Sequence, residues 1–322
     1  MKNLLFLLMC LLTCGYSASA QDDNYSFKEA FEVTEPAQLV ISSEDGDIEI
    51  IASTHKGVEV YYIVKRNNKL LKTSRAEIDK EAILKATSTP NSLNITIRYP
   101  KELRVRSANN HITVSLKIYV PKQTACNLKT SDGNISINGL IANQVLKTSD
   151  GDVHVSNIDG GVRGSTSDGN IRIKAIKGNV DFKTSDGNIS LEDISGNASM
   201  STSDGDMKAS KIHGDLFLKT SDGRIEFDAT DGSVTAITSD GNINGNVTTL
   251  KKMSLETSDG DIRVTIPDRL GLNLNIRGSS VNTSLKNFSG ESGKHLIKGQ
   301  LNGGGVPIDI RASGGNVNLI YR

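Results

Sequence analysis

The tetrapeptide Thr-Ser-Asp-Gly returns eight times in this chain, beginning at Thr130, Thr148, Thr166, Thr184, Thr202, Thr220, Thr238 and Thr257. Six successive intervals are 18 residues and the last is 19. A fixed period near twenty restricts the chain to a repeat architecture, in which each unit buries its apolar side only by stacking on its neighbours.

Numbered from its Thr, each repeat has apolar residues at column six (Ile135, Val153, Ile171, Ile189, Met207, Ile225, Ile243, Ile262) and again at column eight. Further apolar columns fall at eleven, fifteen and seventeen. Apolar positions two apart mean strands with one inward face. The expected unit is therefore an 18-residue coil with two short strands, around columns five to nine and fifteen to one. Ser-Asp-Gly makes one corner, and a recurring Gly (Gly160, Gly178, Gly196, Gly214, Gly232) closes the other. At both corners glycine is expected to supply positive φ, and Asp to hydrogen-bond the turn backbone two residues on. Parallel strands pair at about 4.8 Å, so eight coils would extend roughly 40 Å. The left-handed hexapeptide helix would need apolar residues six apart. The calcium-binding nonapeptide β-roll would need a doubled glycine that Thr-Ser-Asp-Gly-Asn lacks.

Outside the repeats the chain reads as more β structure. Leu39, Ile41, Ile48 and Ile50 flank Ser43-Glu44-Asp45-Gly46-Asp47, an imperfect cousin of the repeat. Val58 to Lys65, Leu93 to Ile97 and Ile112 to Val120 read as strands, with Pro121 closing the last and a turn over Ser107 to His111. Residues 21–36, with an isolated Phe27 and Phe31, read as a loosely held lead-in. Ser74-Arg75-Ala76-Glu77 matches a capping box and predicts one short helix over 75–86. Beyond Pro267, Leu272, Leu274 and Ile276 alternate, Leu285 to Gly305 is a looser excursion, and Ala312-Ser313-Gly314-Gly315-Asn316 is a degenerate repeat. The expected fold is all-β: a parallel β-solenoid preceded by a β-rich region with one helix. Its divisions are a signal peptide over 1–20, an N-terminal capping region over 21–126, the regular solenoid over 127–267, and terminal coils with a cap over 268–322.

The signal peptide is read from Lys2, the apolar run Leu4 to Leu12 and the small residues Ala18-Ser19-Ala20. It predicts export to the periplasm, the cell surface or the medium. Cys14 offers a lipoprotein alternative, although Thr13 before it departs from the usual small residue. No later apolar run is long enough to span a bilayer. Removing the signal also removes Cys10 and Cys14, leaving Cys126 alone and no internal disulfide; Cys126 is expected to be a small buried residue. The 37 basic and 37 acidic residues balance, so no bulk field draws the chain to nucleic acid.

These residues resemble a bacterial family of exported β-strand-repeat domains that carry either an adhesin designation or none. The resemblance rests on Ser115-Leu116-Lys117-Ile118-Tyr119-Val120-Pro121, on Leu128-Lys129-Thr130-Ser131-Asp132-Gly133-Asn134-Ile135 and on Ala312-Ser313-Gly314-Gly315-Asn316-Val317. It covers about Leu39 to Leu319. It implies a right-handed solenoid-like fold in an exported protein and supplies no catalytic residues.

The candidate site is the column Asp132, Asp150, Asp168, Asp186, Asp204, Asp222, Asp240 and Asp259. Stacked corners would align these carboxylates, and like charges at that spacing need compensation. Lys129, Lys147, Lys183 and Lys219 are the expected neighbours. The column reads first as a structural turn ladder. Calcium or a partner contact are its functional alternatives, though one carboxylate per corner makes a sparse shell for a hard cation. His55, His111, His154, His213 and His295 are scattered without metal-ligand spacing, and His154 is expected to point outward. The leading functional expectation is noncatalytic, adhesin-like binding of a glycan or envelope protein, with no cofactor. A periplasmic structural or signalling scaffold is the alternative. A carbohydrate-active enzyme would require a cluster of carboxylates, Arg and aromatics on one face.

Overall fold

The computed structural model describes residues 24–100 and 111–322. It is an almost wholly β molecule built of two parallel ladders around one apolar core. One ladder stacks the strands that follow each Thr-Ser-Asp-Gly corner: Ile135–Asn138, Val153–Asp159, Ile171–Lys177, Ile189–Ser195 and Met207–His213. The other stacks those that precede it: Thr124–Lys129, Gln144–Lys147, Val162–Ser165, Val180–Lys183, Ala198–Ser201 and Leu216–Lys219. Register is kept at a constant offset of 18, so Ile171 lies on Ile189 and Ile189 on Met207. The apolar columns are the buried ones, as in Ile189, Leu191, Ile194, Ala198 and Met200. Two phenylalanines are accommodated by glycine in the adjoining coil: Phe182 beside Gly164 and Phe227 beside Gly245.

Four strands after the corners, Val153–Asp159, Ile171–Lys177, Ile189–Ser195 and Met207–His213, are longer than the sequence suggests and run from column six to column twelve. They bend at column ten, where Asn157, Ala175, Asp193 and Lys211 adopt φ of 55–60°. That bend turns column eleven inward again (Ile158, Ile176, Ile194, Ile212). The glycines of the second corner have φ of 151–155°, as expected. The 19-residue interval is absorbed between Asp228 and Ser233, where pairing to Ile243–Thr257 slips and Leu250 stands opposite Gly232.

Both ends are threaded out of chain order. Ala37–Ser43 and Ile48–Ser53 form a coil that lies between Thr124–Lys129 with Ile135–Asn138 on one side and Ser92–Arg98 with Ile112–Pro121 on the other. At the far end Val306–Ala312 and Asn316–Tyr321, the last strands of the chain, lie between Ile243–Thr257 with Ile262–Ile266 and the outermost Leu272–Arg277 with Ser280–Thr283. The first and last coils thus each have two neighbours. Antiparallel strands then cover three of the four outer edges. Val58–Arg66 followed by Phe27–Phe31 extends one ladder at the N-terminal end, and Ile83–Thr89 the other. Leu296–Leu301 followed by Phe288–Ser292 covers one at the C-terminal end, so the looser excursion contains a hairpin. Such cover leaves short antiparallel strands as the outermost edges, and short edges are one way natural sheets limit edge-to-edge aggregation.

Two expectations change here. The helix expected over 75–86 is one turn, Arg75–Ile78, and Ser74 makes no side-chain cap. Glu77 instead binds Lys80, and Ile83–Thr89 continues as a strand. The lead-in is tied down, because Phe27–Phe31 pairs with Val58–Arg66 and Phe27 stacks on Tyr62. Beneath it, Tyr62 Oη donates to Glu29 at 2.8 Å and Arg75 reaches the same carboxylate at 2.6 Å; burial and then Glu29 push the Tyr62 phenol up. The turn expected over 107–111 falls largely outside the described residues, as do residues 1–20.

Candidate functional site: the stacked corners and their outward columns

The corner chemistry begins with threonine. All eight Thr of the repeat are buried, at 0–7% exposure. In the second coil Thr148 Oγ1 donates to the carbonyls of Ser131 (3.0 Å) and Gly133 (2.9 Å) in the coil before, and accepts the N–H of Gly151 in its own turn (3.3 Å). The same three contacts recur at Thr166, Thr184, Thr202, Thr220, Thr238 and Thr257. The amides of Ser149 and Asp150 also converge on the Ser131 carbonyl. Thr202→Val should therefore cost about 1–3 kcal/mol, because it leaves the Gly187 carbonyl and the Gly205 N–H short of a partner where water is excluded. Thermal unfolding checks this, and Thr202→Ser should restore part of the loss.

The glycine of the same corner serves a purpose other than the expected one. Gly133, Gly151, Gly169, Gly187 and Gly205 are absent from the positive-φ residues. A Cβ on Gly187 would instead lie 1.9 Å from the Gly169 carbonyl oxygen, and each neighbouring coil repeats this approach. Close backbone contact, not left-handed conformation, requires glycine here.

A second ladder runs along column five. Asn134 Oδ1 accepts the N–H of Asp152, Asp152 that of Asn170, Asn170 that of Asn188 and Asn188 that of Asp206. The displaced coil joins it through Asp47, which accepts from Asn134 at 2.9 Å, and the last coil through Asp261 and Asn316. At the opposite corner Asn179, Asn197 and Asp215 do the same, and the Ser233 N–H holds the Asp215 carboxyl below the usual carboxylate range.

The predicted Asp column lies beside these ladders and outside them. Asp132, Asp150, Asp168, Asp186, Asp204, Asp222, Asp240 and Asp259 are all exposed, one per corner in register. Among the described residues, the carboxylates of the last seven receive no hydrogen bond or ion pair. Threonine fills the turn-closing role expected of them. Lys147, Lys183 and Lys219 are exposed and make no ion pair with the column among the described residues. Nor do the described residues contain any group of three or more His, Cys, Asp or Glu able to hold a metal ion.

The outward columns carry mixed polar groups. His154 points outward, and its Nε2 lies 2.6 Å from the Arg172 guanidinium. Glu192 is bridged by Lys174 at 2.8 Å and Lys211 at 3.4 Å, whose hydrogen bonds hold its carboxyl below the usual range. Cys126 is buried, and burial pushes its thiol up, away from the thiolate a nucleophile needs. The sequence pattern alone does not single out Gln144 as a polar core residue. It occupies the valine column, fully buried, accepts the Cys126 N–H and donates to the carbonyls of Thr124 and Ala142. A polar residue in an otherwise apolar column was the available signal.

Two parallel ladders closed by hydroxyl and amide stacks define a β-solenoid of short coils with a polar exterior. The chain belongs to the Toastrack DUF4097 family, whose profile matches residues 37–228 and 162–320. Among solved structures, it is similar to a candidate adhesin from Bacteroides fragilis at 14% identity, covering 74% of this chain and 96% of that one with a TM-score of 0.42. It is also similar to a candidate cell adhesion protein from Clostridium sporogenes at 11% identity, covering 92% and 99% with a TM-score of 0.19. No curated protein matches.

Proposed function

We propose that this chain is an exported, noncatalytic, adhesin-like protein that binds a glycan or protein of the bacterial cell envelope or surface. The observation that carries this reading is the division of labour at the corner. Threonine, glycine and column five hold the stack together, while seven stacked carboxylates, from Asp150 to Asp259, are left facing solvent without an internal partner. Groups repeated in register at each coil suit avid, multivalent contact.

Changing Asp150, Asp168, Asp186 and Asp204 together to Asn should weaken binding to purified envelope material by about tenfold or more, with the melting temperature unchanged. Equal binding by this variant would remove the column from the interface. The melting temperature should also be the same in millimolar calcium and in chelator; a fall on chelation would make the column a calcium ladder instead. Protease treatment of intact cells, with a periplasmic marker as control, separates the two settings. Cleavage on intact cells supports surface adhesion, whereas protection until the outer membrane is opened supports a periplasmic scaffold.

A further inference from the structure

The N-terminal cap carries a surface unlike the rest of the molecule. Its outward face is formed by Val58–Arg66, Ile112–Pro121 and Ile48–Ser53 side by side. Tyr61 stands opposite Lys117, and Lys117 opposite Glu49; one row further on, Glu59 stands opposite Tyr119. Tyr25, Tyr61 and Tyr119 form a chain of edge-to-face rings at 5.0 and 5.6 Å. The whole chain holds only seven tyrosines and no tryptophan. With Asn24 and the Ser53–His55 segment as walls, these residues enclose a groove of about 590 Å³, within the ~300–1,000 Å³ range of small-molecule sites.

We propose that this groove binds a saccharide, with Tyr61 and Tyr119 stacking on sugar rings and Glu59 orienting hydroxyl groups. The inference rests on the reading of the chain as an envelope-binding protein but not on the aspartate column. The chemistry matches that ligand on three counts. Aromatic rings offer apolar faces to the C–H side of a pyranose, and a tyrosine presents such a face beside a polar, wet tip. Lys117 lies 3.6 Å from Glu49, whereas Glu59 accepts from Tyr61 Oη at 3.2 Å and has no ion pair among the described residues; with a carboxylate left over, a neutral, hydroxyl-rich ligand fits better than a polyanion. An extended peptide cannot add as a strand, because Val58–Arg66 and Ile112–Pro121 are paired on both sides.

The test applies the full mature chain to an array of defined neutral and N-acetylated oligosaccharides. The strongest binder is then titrated against tyrosine fluorescence, which no tryptophan obscures. Tyr61→Ala and Tyr119→Ala should each weaken binding by about tenfold or more, the loss expected of a central aromatic anchor. Tyr61→Phe keeps the ring and the fold while releasing Glu59, and should weaken binding less. Undiminished binding by folded Tyr61→Ala overturns the groove assignment. A silent array with retained binding to an envelope protein overturns it too, yet leaves the broader function standing. A silent array with no envelope binding defeats both.

Discussion

Gly187→Ala should abolish the cooperative unfolding transition or lower stability by more than about 4 kcal/mol, although it adds one methyl group at a corner. The reason is geometric. The new Cβ would sit 1.9 Å from the Gly169 carbonyl oxygen, whereas real Cβ contacts essentially never fall below 3.0 Å. The obstacle is backbone and cannot rotate away. Relief requires separating two coils, and that breaks the Thr184 bonds to Ser167 and Gly169 (2.9 and 3.1 Å) together with the amide bonds converging on Ser167. Because each coil contacts only its neighbours, damage at one corner splits the stack in two. Asp186→Ala, one residue away on an exposed carboxylate, should stay within about 0.5 kcal/mol of wild type. Far-UV circular dichroism melts of the pair decide the matter; an unchanged midpoint for Gly187→Ala would mean the coils are not packed this closely.

Ile189→Asp should be nearly as severe at neutral pH and should carry a pH signature. Ile189 is 2% exposed, stacked between Ile171 and Met207. Truncation to Val would cost only about 0.5–1.5 kcal/mol. A carboxylate there meets no donor or cation, so burial raises its folded pKa above the unfolded value of about 3.9. A group raised in the folded state costs least below its unfolded pKa and most once pH exceeds its folded pKa. The deficit relative to wild type should therefore be smallest in acid, grow as pH rises, and exceed about 3 kcal/mol at neutrality. Ile189→Asn, which cannot ionise, should show a deficit independent of pH. Parallel pH profiles for the two variants would place column six outside the core.

Residue periodicity makes the coil legible in the sequence itself. Columns six, eight, eleven, fifteen and seventeen alternate with polar neighbours, and burial follows directly from that pattern. What remained hidden depends on relations between coils. Nothing local to Thr148 says that its hydroxyl reaches back to Ser131 and Gly133, and nothing local to Gly187 distinguishes a close approach from a left-handed turn. The left-handed Ala175 and Lys211 were hidden because neither residue type favours that conformation, and the stack imposes it. The expected helix exceeds the observed turn because Ser74 and Glu77 match a capping box while the apolar pattern from Ile83 onward is one of strand. The aromatic groove was illegible for a different reason. Tyr25, Tyr61 and Tyr119 are far apart in sequence and meet only once Val58–Arg66 has paired with Ile112–Pro121.

The threaded ends have a mechanical consequence. In a simple solenoid, traction on a terminus peels its last coil, and hydrogen bonds fail one at a time. Here the first coil, Ala37–Ser43 with Ile48–Ser53, and the last, Val306–Ala312 with Asn316–Tyr321, are bonded to strands on both flanks. Tension at the C-terminus would load Asn316–Tyr321 against two flanking strands at once, whereas at the N-terminus Phe27–Phe31, bonded on one flank only, would yield before the threaded coil is reached. Coils added or removed within the regular stretch would alter reach by about 4.8 Å each and leave both threaded ends untouched, so that length can change without rebuilding either end.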